Sequence, residues 1–494
     1  MTVRSLTVLL IAAASVLPAS AVLAQQAAAP PLVEQINHGN WLPQAEAESL
    51  LDDLFYQRAV YAYMTMLPAM NTIGMRDGSA EAFGKGYNIL PIWKDRMDSR
   101  AWIPTPNGDV IYSLTFLDLK ETGPLVVAAP PNVIGMFTDL FQRTITDVGL
   151  IGPDRARGGL YLLLPPDYEG EVPQGYFAFK SSTYNVMLFF RTVMAKGTTA
   201  PDPKQAVALA EQTRIYPLWA TEKDTKPMEF PNGSGKRVNM MYPVDSSYWD
   251  KLKAFVDQEP ISAIDSELRG VLASIGIVKG QPFTPTDKQR ELLDKAVETA
   301  PKMILANRQI GRADGRNLYY KDRQYENVWA GATSEWMQST YLDVDQRAGF
   351  FQIAFSSAPA MVMHTLGAGS KYPTARRDAN GDFLNGSNSY KLHLPPNAPA
   401  ALFWAVTLYN ITDGTMVETP QQMPSINSLN EAVVKNADGS IDLWFGPSKP
   451  ADAPDTNFIQ TVNDRNFIAT VRLYGTGVEF FDQTWRPDDV VKIN

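Results

Sequence analysis

Cysteine is absent from the 494 residues of the chain, and histidine occurs only three times. Without cysteine the protein can form no disulfide, no thiolate metal site and no cysteine nucleophile. The histidines, His38, His364 and His393, are far apart, whereas zinc motifs that a sequence reveals place their ligands a few residues apart. We therefore predict no metal site and expect stability to come from packing.

Motifs of nucleophilic catalysis and nucleotide binding are also missing. The chain contains no Gly-x-Ser-x-Gly or Ser-x-x-Lys sequence, and neither a Gly-x-Gly-x-x-Gly loop nor a P-loop occurs. We therefore expect no cofactor. The net charge of −9 argues against nucleic acid or an anionic membrane as a partner, because binding to phosphates requires a basic surface.

Long hydrophobic runs are absent after the first residues of the chain. Near the start, Arg4 precedes an apolar stretch at 6–17, and small residues lead to Ala24. This pattern is typical of a secretory signal peptide, and we expect cleavage after Ala24. The mature protein is then predicted to be periplasmic or secreted, without a transmembrane segment. A homo-oligomer is compatible with these features, but none of them indicates a number of copies.

The pattern of apolar residues changes along the chain. Residues 44–66 have helical spacing and end close to Pro68, and the stretches 202–220 and 286–310 return to this spacing. Short apolar runs separated by proline and glycine fill residues 93–191 and the region after 371, as in sandwiches of β-sheets.

These patterns predict an α+β fold that is mostly β. We expect two jelly-roll-like β-sandwich domains, joined by a largely helical connector and preceded by an N-terminal helix. The predicted boundaries are a signal peptide (1–24), a leader with the helix (25–84), the first sandwich (85–199), the connector (200–365) and the second sandwich (366–494).

Four strands near the C-terminus each have one apolar side. Their alternation predicts that Leu392, Val406, Leu443 and Val471 share one interior. The opposite sides mix charged groups with aromatic rings, and they carry Lys391, His393, Tyr409, Asp442, Trp444, Arg472 and Tyr474.

Two interpretations of these opposite sides remain open. Rings and charged groups together suit a polar, glycan-like small molecule. The residues expected to bind it are Tyr390, His393, Tyr409, Trp444, Arg472 and Tyr474. Such side chains also commonly fill contacts between domains, in which case these sides pack against the connector or the first domain.

Several segments resemble a pair of bacterial families. The stretch YPTARRDANGDFLNGSNSYKLHLPPNAPAALFWAVTLYN, followed by NADGSIDLWFG, NFIATVRLYG and TWRPDDVV, resembles domain of unknown function 1214. Earlier, WIPTPNGDVIYSLTFLDLKETGPLVVAAPP, GGLYLLLPP and FFRTV resemble its usual N-terminal partner, domain of unknown function 1254. The resemblance implies an exported, two-domain, sandwich-rich protein and no particular activity. The chain departs from the family at Val110, which follows Asn107-Gly108-Asp109 where relatives tend to have threonine.

Acidic and histidine side chains are the remaining candidates for catalysis, namely Asp109, Asp147 and His393. Asp139, Arg143 and Asp147 recur every four residues, which places them on one face of either a helix or a strand. Structural ion pairs are the simpler explanation of this ladder, and a paired-carboxylate hydrolytic site is the alternative.

Two local motifs have simpler explanations than ligand binding. The segment DANGD at 378–382 spaces its oxygen side chains like a calcium loop, but Phe383 and Ser389 stand where such a loop needs glycine and glutamate. Asn380-Gly381 instead predicts a tight turn. The basic stretches 311–323 and 375–378 form either a site for an anion or solvated loops.

Two hypotheses of function follow from the sequence. The first is an exported protein that binds a polar, glycan-like ligand in the cell envelope. The second is a cofactor-independent hydrolase or lyase that uses Asp109, Asp147 or His393. We prefer binding, because no compact catalytic constellation is visible in the sequence.

Overall fold

The computed structural model describes residues 41–221, 223–313, 317–329 and 333–493, with the backbone alone for 311–313. The predicted signal peptide and His38 lie outside the described residues. Within these ranges the chain forms a mixed α/β structure with several sheets, none of which closes on itself. No helix in the same ranges is long and apolar enough to cross a membrane.

Nine α-helices occur in the described residues, and most of them are short. In chain order they are α1 (Gln44–Phe83), α2 (Leu119–Thr122), α3 (Lys204–Ala210), α4 (Ser247–Gln258), α5 (Ser266–Ser274), α6 (Asp287–Ala313), α7 (Val344–Ile353), α8 (Pro359–Val362) and α9 (Val478–Phe481). Single 3-10 turns occur at Ile261–Ala263 and Asp455–Asn457. Six of the helices, α3 to α8, lie within the predicted connector.

Twenty β-strands accompany these helices. They are β1 (Ala101–Trp102), β2 (Ile111–Asp118), β3 (Leu125–Ala129), β4 (Ile134–Asp139), β5 (Thr144–Val148), β6 (Gly159–Leu164), β7 (Phe177–Lys180), β8 (Asn185–Thr192), β9 (Arg214–Pro217), β10 (Val238–Asn239), β11 (Tyr325–Glu326), β12 (Ser370–Lys371), β13 (Thr374–Ala375), β14 (Ser389–Leu394), β15 (Ala400–Asn410), β16 (Ser425–Asn427), β17 (Ile441–Gly446), β18 (Phe458–Gln460), β19 (Phe467–Thr476) and β20 (Val491–Ile493). The short β1 and β10 pair in parallel.

Two four-stranded sheets form the first half of the chain. One has the order β2-β8-β4-β5 and the other β7-β6-β3-β9. Leu188 and Phe190 of β8 belong to the same buried cluster as Val127 of β3 and Leu163 of β6. The two sheets therefore share one hydrophobic core, and β9 brings Ile215 into it from the segment after residue 199.

Two further sheets form the second half. Their orders are β11-β13-β19-β15-β16, with β12 also paired to β19, and β18-β17-β14-β20. Leu392, Val406, Leu443 and Val471 are all buried in one cluster between strands of both sheets. This confirms the predicted interior. Since side chains alternate along a strand, the residues between them on β15 and β19 face away from this core.

The opposite side of the β15–β19 sheet is also buried. Phe403, Tyr409 and Tyr474 belong to a cluster that includes Tyr112 and Phe189 of the first half. This side of the sheet therefore packs against other parts of the chain, which is one of the two interpretations that the sequence left open.

The first helix is longer than the sequence pattern predicts. The pattern predicts an end near Met66, before Pro68, whereas α1 continues to Phe83. Proline lacks an N–H and its ring crowds the carbonyl one turn earlier, so it usually ends a helix. Tertiary packing outweighs this cost here, because most residues from 59 to 75 are buried in the large core cluster.

The close packing of α1 can be tested at a glycine. A Cβ atom at Gly78 would overlap the carbonyl oxygen of Asn239 and lie 3.1 Å from the Cα atom of Met240. Because both are backbone atoms, we expect Gly78→Ala to lower the free energy of unfolding by about 1–3 kcal/mol.

Gly270→Ala in α5 is the matched control, since nothing lies within 4 Å of its Cβ position. This substitution should raise the free energy of unfolding by about 0.5–1 kcal/mol, because alanine favours the helix. Urea denaturation measures both variants. Equal stabilisation of both by alanine would contradict the described contact of α1.

Candidate functional site

The loop at 105–109, which contains the NGD motif, joins the two halves of the chain. The Tyr409 hydroxyl donates to the Pro106 carbonyl at 2.6 Å, and the Asn107 amide donates to the Tyr474 hydroxyl at 2.6 Å. Both tyrosines are buried. These rings of β15 and β19 therefore hold the loop in place and do not form an open surface.

Asp109 is the centre of this contact. Its carboxylate accepts hydrogen bonds from Ser425 Oγ at 2.8 Å and Asn427 Nδ2 at 2.6 Å, and it pairs with Arg96 at 3.1 Å. The side chain has no exposed surface. A buried carboxylate with these partners is satisfied, so Asp109 clamps a loop of the first half to the sheet of the second.

Beside this clamp lies a cavity of about 80 Å³, which we call the central cavity. Its walls come from the first half, from α7 and from β13 and β19. Seven of the polar residues that line it are Thr105, Tyr112, Arg191, Ser356, Tyr372, Arg472 and Tyr474. The space is large enough for water or a small molecule, since about 10–15 Å³ is the minimum that admits one water.

Arg191 of β8 lines the cavity without a carboxylate partner. Its Nη2 atom donates to Ser356 Oγ at the long distance of 3.5 Å, and Nε has no partner among the described residues. The guanidinium carbon lies 4.4 Å from the centre of the Phe189 ring and 5.9 Å from that of Tyr112. Arg191 is therefore surrounded mainly by rings and hydroxyls.

Arg472 of β19 has a similar environment. Its Nη1 atom donates to Thr407 Oγ1 at 3.1 Å and its Nη2 atom to the Thr105 carbonyl at 3.4 Å. Nε again has no partner among the described residues. Both arginines are only 4% exposed, and no described carboxylate forms an ion pair with either of them.

Both arginines stay charged at neutral pH. Burial lowers the pKa of Arg191 and of Arg472, but the pKa of each lies above the ordinary arginine value, because the nearby tyrosines become negatively charged at high pH and oppose loss of the arginine proton. Burial raises the pKa of Tyr112 and of Tyr474, so these hydroxyls are neutral at pH 7. Neutral hydroxyls solvate a guanidinium without cancelling its charge. No ion pair among the described residues therefore neutralises Arg191 or Arg472, although Asp147 lies close enough to Arg191 for the guanidinium to lower the pKa of that carboxyl.

Two strained residues orient these arginines. Thr105 has a φ of +40° and Ser356 a φ of +58°, in the left-handed region that side chains other than glycine rarely adopt. The Thr105 carbonyl accepts from Arg472, and the Ser356 hydroxyl accepts from Arg191. Strain of this kind costs on the order of 1–3 kcal/mol per residue and concentrates at ligand sites.

The six residues predicted to bind a ligand lie in three places. Arg472 and Tyr474 line the central cavity, and the Tyr409 ring lies 5.2 Å from the Arg472 guanidinium. Tyr390 is buried in the core between the two sheets of the second half. His393 and Trp444 lie on the far side of the β14–β17 sheet. The single surface expected from the sequence is therefore divided, because the two sheets pack with their apolar sides together and their other sides apart.

The far side of β14 and β17 carries a small ion cluster. His393 Nδ1 lies 2.7 Å from Asp442 Oδ1, and Lys391 Nζ lies 2.9 Å from Asp442 Oδ2. Trp444 is only 8% exposed, and the Lys391 ammonium lies over its ring at 5.3 Å from the centre. The ring is therefore covered, which leaves little of its face open for stacking on a sugar.

The ladder of Asp139, Arg143 and Asp147 is divided by a turn. Asp139 ends β4 and pairs with Arg143 in the turn at 2.6 Å. Asp147 lies apart on β5, where its Oδ2 atom accepts from the Ala360 amide at 3.3 Å and its Oδ1 atom has no partner among the described residues. Burial raises the pKa of Asp147 to about 6, although the Ala360 amide and Arg191 lower it.

The three catalytic candidates do not converge. Asp109 belongs to the clamp, Asp147 lies on β5 and His393 lies on the far side of the β14–β17 sheet, and none of them lines the central cavity. Among the described residues, no three or more histidine, aspartate or glutamate side chains are grouped so that they could hold a metal ion.

The motif DANGD forms the predicted turn. The Asp378 carboxylate accepts from the amides of Asn380 at 2.9 Å and Asp382 at 3.1 Å, and Gly381 has a φ of +89°. Glycine adopts this conformation without strain, so the turn prediction is confirmed.

The basic stretch at 375–378 is engaged within the protein. Arg376 pairs with Glu326 at 2.8 Å, and the Arg377 guanidinium lies 3.9 Å from the centre of the Phe383 ring. Of the other basic stretch, residues 314–316 lie outside the described residues, and Arg323 faces Asp488 at 3.5 Å.

Arg191 is a buried, cavity-lining residue that the sequence interpretation did not single out. It stands in FFRTV, near the end of a strand whose residues are all buried. A charged residue inside an otherwise apolar strand is the signal that could have identified it, because arginine is rarely buried without a reason.

Comparisons with known proteins agree with the two-segment organisation. Residues 87–217 match the family described as Protein of unknown function (DUF1254), and residues 369–478 match Protein of unknown function (DUF1214). Arg191 lies in the first match and Arg472 in the second. A comparison with curated proteins finds no match.

Two solved structures are similar to the chain. The VPA0106 protein from Vibrio parahaemolyticus aligns with a TM-score of 0.54 and 17% identity, over 90% of this chain and 100% of that one. An uncharacterized protein from Burkholderia cenocepacia aligns with a TM-score of 0.37 and 11% identity, over 93% of this chain and 98% of that one. The first of these likenesses shows a shared fold.

The environment of Asp147 predicts a pH dependence of stability. Its folded pKa of about 6 lies above the ordinary value of 3.8, so the folded state holds this proton more tightly than the unfolded state. The resulting stabilisation is fully present below about pH 4 and is lost as the pH rises through about 6, by on the order of 3 kcal/mol.

We therefore expect Asp147→Asn to gain stability relative to the wild type as the pH rises from about 4 to about 7. Urea denaturation of both proteins at the two pH values measures this difference. A difference that does not change with pH would show that Asp147 titrates normally.

Proposed function

We propose that this chain, in which a DUF1254 segment is followed by a DUF1214 segment, binds a small anionic molecule in the central cavity. Arg191 and Arg472 recognise the acidic part of the ligand. Tyr112, Tyr372 and Tyr474 line the same space.

The observation that carries this proposal is the pair of buried guanidiniums without carboxylate partners. A charge taken out of water costs several kcal/mol unless an opposite charge and hydrogen bonds replace its hydration. An anion in the cavity supplies both. Cavities with a few convergent polar groups are also the usual form of small-molecule sites.

Positive charge in the cavity favours an acid over a neutral sugar. The sequence alone suggested a glycan-like ligand because rings and charges alternate with apolar residues. In the fold, Trp444 is covered by Lys391, and Tyr409 and Tyr474 hold the loop at 105–109. These rings are therefore not free to stack on a sugar, whereas Arg472 lines the cavity without a carboxylate partner.

A cofactor-independent hydrolase or lyase is supported less well. Acid–base catalysis needs its groups within hydrogen-bonding reach of one substrate. Asp109 is occupied by the clamp, and neither Asp147 nor His393 lines the central cavity. Binding therefore explains the geometry with fewer assumptions.

Export and sandwich packing are part of the same proposal. The pattern that ends near Ala24 supports a periplasmic or secreted protein. In each half of the chain two sheets share one hydrophobic core, and this supports a β-sandwich in each half. A jelly-roll order of the strand connections is the more detailed part of the proposal. The cavity would then collect a small acid outside the cytoplasm.

Thermal unfolding of the mature protein with a panel of small molecules tests the proposal. The panel contains acetate, propionate, malonate and succinate on one side, and glucose and galactose on the other. We expect at least one carboxylate to raise the melting temperature, because a ligand at a hundred times its dissociation constant stabilises by about 2.7 kcal/mol. Stabilisation by the sugars alone would overturn the proposal.

Substitution of the two arginines tests the site itself. Arg191→Gln and Arg472→Gln should remove the carboxylate-induced shift. Without ligand they should be at least as stable as the wild type, since each removes an uncompensated buried charge. A purely structural role predicts the opposite, namely a loss of stability without ligand.

Arg237→Gln is the matched control, because Arg237 is exposed and pairs with Glu418 at the surface. It changes the net charge by the same amount and should leave the carboxylate-induced shift intact. If all three variants retain the shift, the central cavity is not the binding site.

A further inference from the structure

Lys371 is a buried lysine that the proposed anion site does not use. It lies on β12, and only 6% of it is exposed. Its Nζ atom donates to the carbonyls of Met361 at 3.0 Å and Met363 at 2.8 Å, at the C-terminal end of α8. No carboxylate among the described residues forms an ion pair with it. The ammonium therefore lacks the counter-ion that buried lysines usually have.

The hydrogen bonds of Lys371 suit a neutral amine as well as an ammonium. An ammonium has three N–H donors, whereas a neutral amine has two. Two donors are enough for the two carbonyls, and no third acceptor for Nζ occurs among the described residues. Loss of the third proton therefore breaks no described hydrogen bond. Burial lowers the pKa of Lys371 to about 8, so roughly a tenth of the amine is neutral at pH 7.

The amine lies beside a second cavity of about 50 Å³, which we call the side cavity. Lys371, Met361 and His364 all line it, and Met361 is also the residue whose carbonyl accepts from Nζ. Met361 and Tyr372 line both this space and the central cavity, so the two cavities adjoin. Lys371 is therefore buried against a cavity and not within a solid core.

A cap on α8 is the structural explanation of these contacts. Basic side chains commonly bind the last carbonyls of a helix. A cap needs only the charge and the donors, which an exposed lysine also provides, and α8 has only four residues. Desolvation beside a cavity does more than this, because it favours the neutral amine and so makes a lysine nucleophilic.

We propose that Lys371 reversibly binds a small aldehyde or ketone as a Schiff base in the side cavity. The neutral amine attacks the carbonyl carbon, and a C–N bond forms. The two amine protons and the carbonyl oxygen then leave as one water, which gives a C=N bond without any oxidant or reductant. This inference does not depend on anion binding at Arg191 and Arg472, so either proposal can fail without the other.

Reductive alkylation of the folded wild-type protein tests this site. Acetaldehyde with cyanoborohydride at pH 7 converts each imine into a stable ethylated lysine, and peptide mass spectrometry locates the ethyl groups over time. We expect Lys371 to react about 10- to 100-fold faster than Lys288, because a desolvated amine is neutral more often than a solvated one. Lys288 is an exposed lysine that pairs with Glu291 at 3.1 Å.

A pair of variants connects the rapid reaction to one side chain. Lys371→Arg keeps a positive charge and N–H donors for the two carbonyls, but it cannot form an imine. After a short treatment, intact-protein mass spectrometry should show one ethyl group on the wild type and on the matched control Lys288→Arg, and none on Lys371→Arg. The site map of the wild type remains decisive if Lys371→Arg fails to fold.

Unfolding in urea separates an activated amine from a purely structural one. Rapid ethylation of Lys371 in the folded protein, slowed to the rate of Lys288 by urea, supports the proposal, because the fold is then what activates the amine. If Lys371 reacts no faster than Lys288 in the folded protein, Lys371 only caps α8 and the proposal is overturned.

Discussion

Two guanidiniums that remain charged without carboxylate partners are the physical constraint on which the centre of this protein depends. Arg191 and Arg472 are held by hydroxyls, a backbone carbonyl and the faces of aromatic rings. These contacts offset part of the desolvation cost and leave the charge in place. Under the function proposed above, a small anion would lower this remaining cost, and that difference between the free and bound states would give the ligand its affinity.

The fold can sustain this cost because its two halves have separate cores. The sheet pairs of the first and second halves each enclose their own apolar cluster. The remaining side of the β15–β19 sheet then meets the first half, where Asp109, Tyr409 and Tyr474 fix the loop at 105–109. This fixed loop presents the strained Thr105 to Arg472. Rigid support of this kind holds a guanidinium in one orientation before a ligand arrives.

Strand periodicity made part of this structure predictable. The interior containing Leu392 and Val471 follows from alternation, because residues two apart lie on the same side of a strand. The turn at Asn380-Gly381 follows from local backbone preferences. Both depend on interactions within a few residues or between neighbouring strands, and a single sequence contains that information.

Other features depend on which surfaces meet, and a single sequence does not contain that information. Alternation indicates that His393 and Arg472 both lie opposite the core, but it does not show that their sheets face different ways. Helix α1 continues past Pro68 because the surrounding core outweighs a local preference. The sequence marks Arg191 as a charge within an apolar strand, but only the fold shows that it lines the same cavity as Arg472.

The most direct test of the uncompensated charge is a crystal structure of the protein soaked in bromide, with anomalous diffraction to locate the ions. Bromide reports where a buried positive charge accepts an anion, whatever the natural ligand is. The account predicts an anomalous peak in the central cavity, in contact with Arg191 or Arg472. Bromide peaks confined to surface arginines, with the central cavity free of any anion, would contradict it.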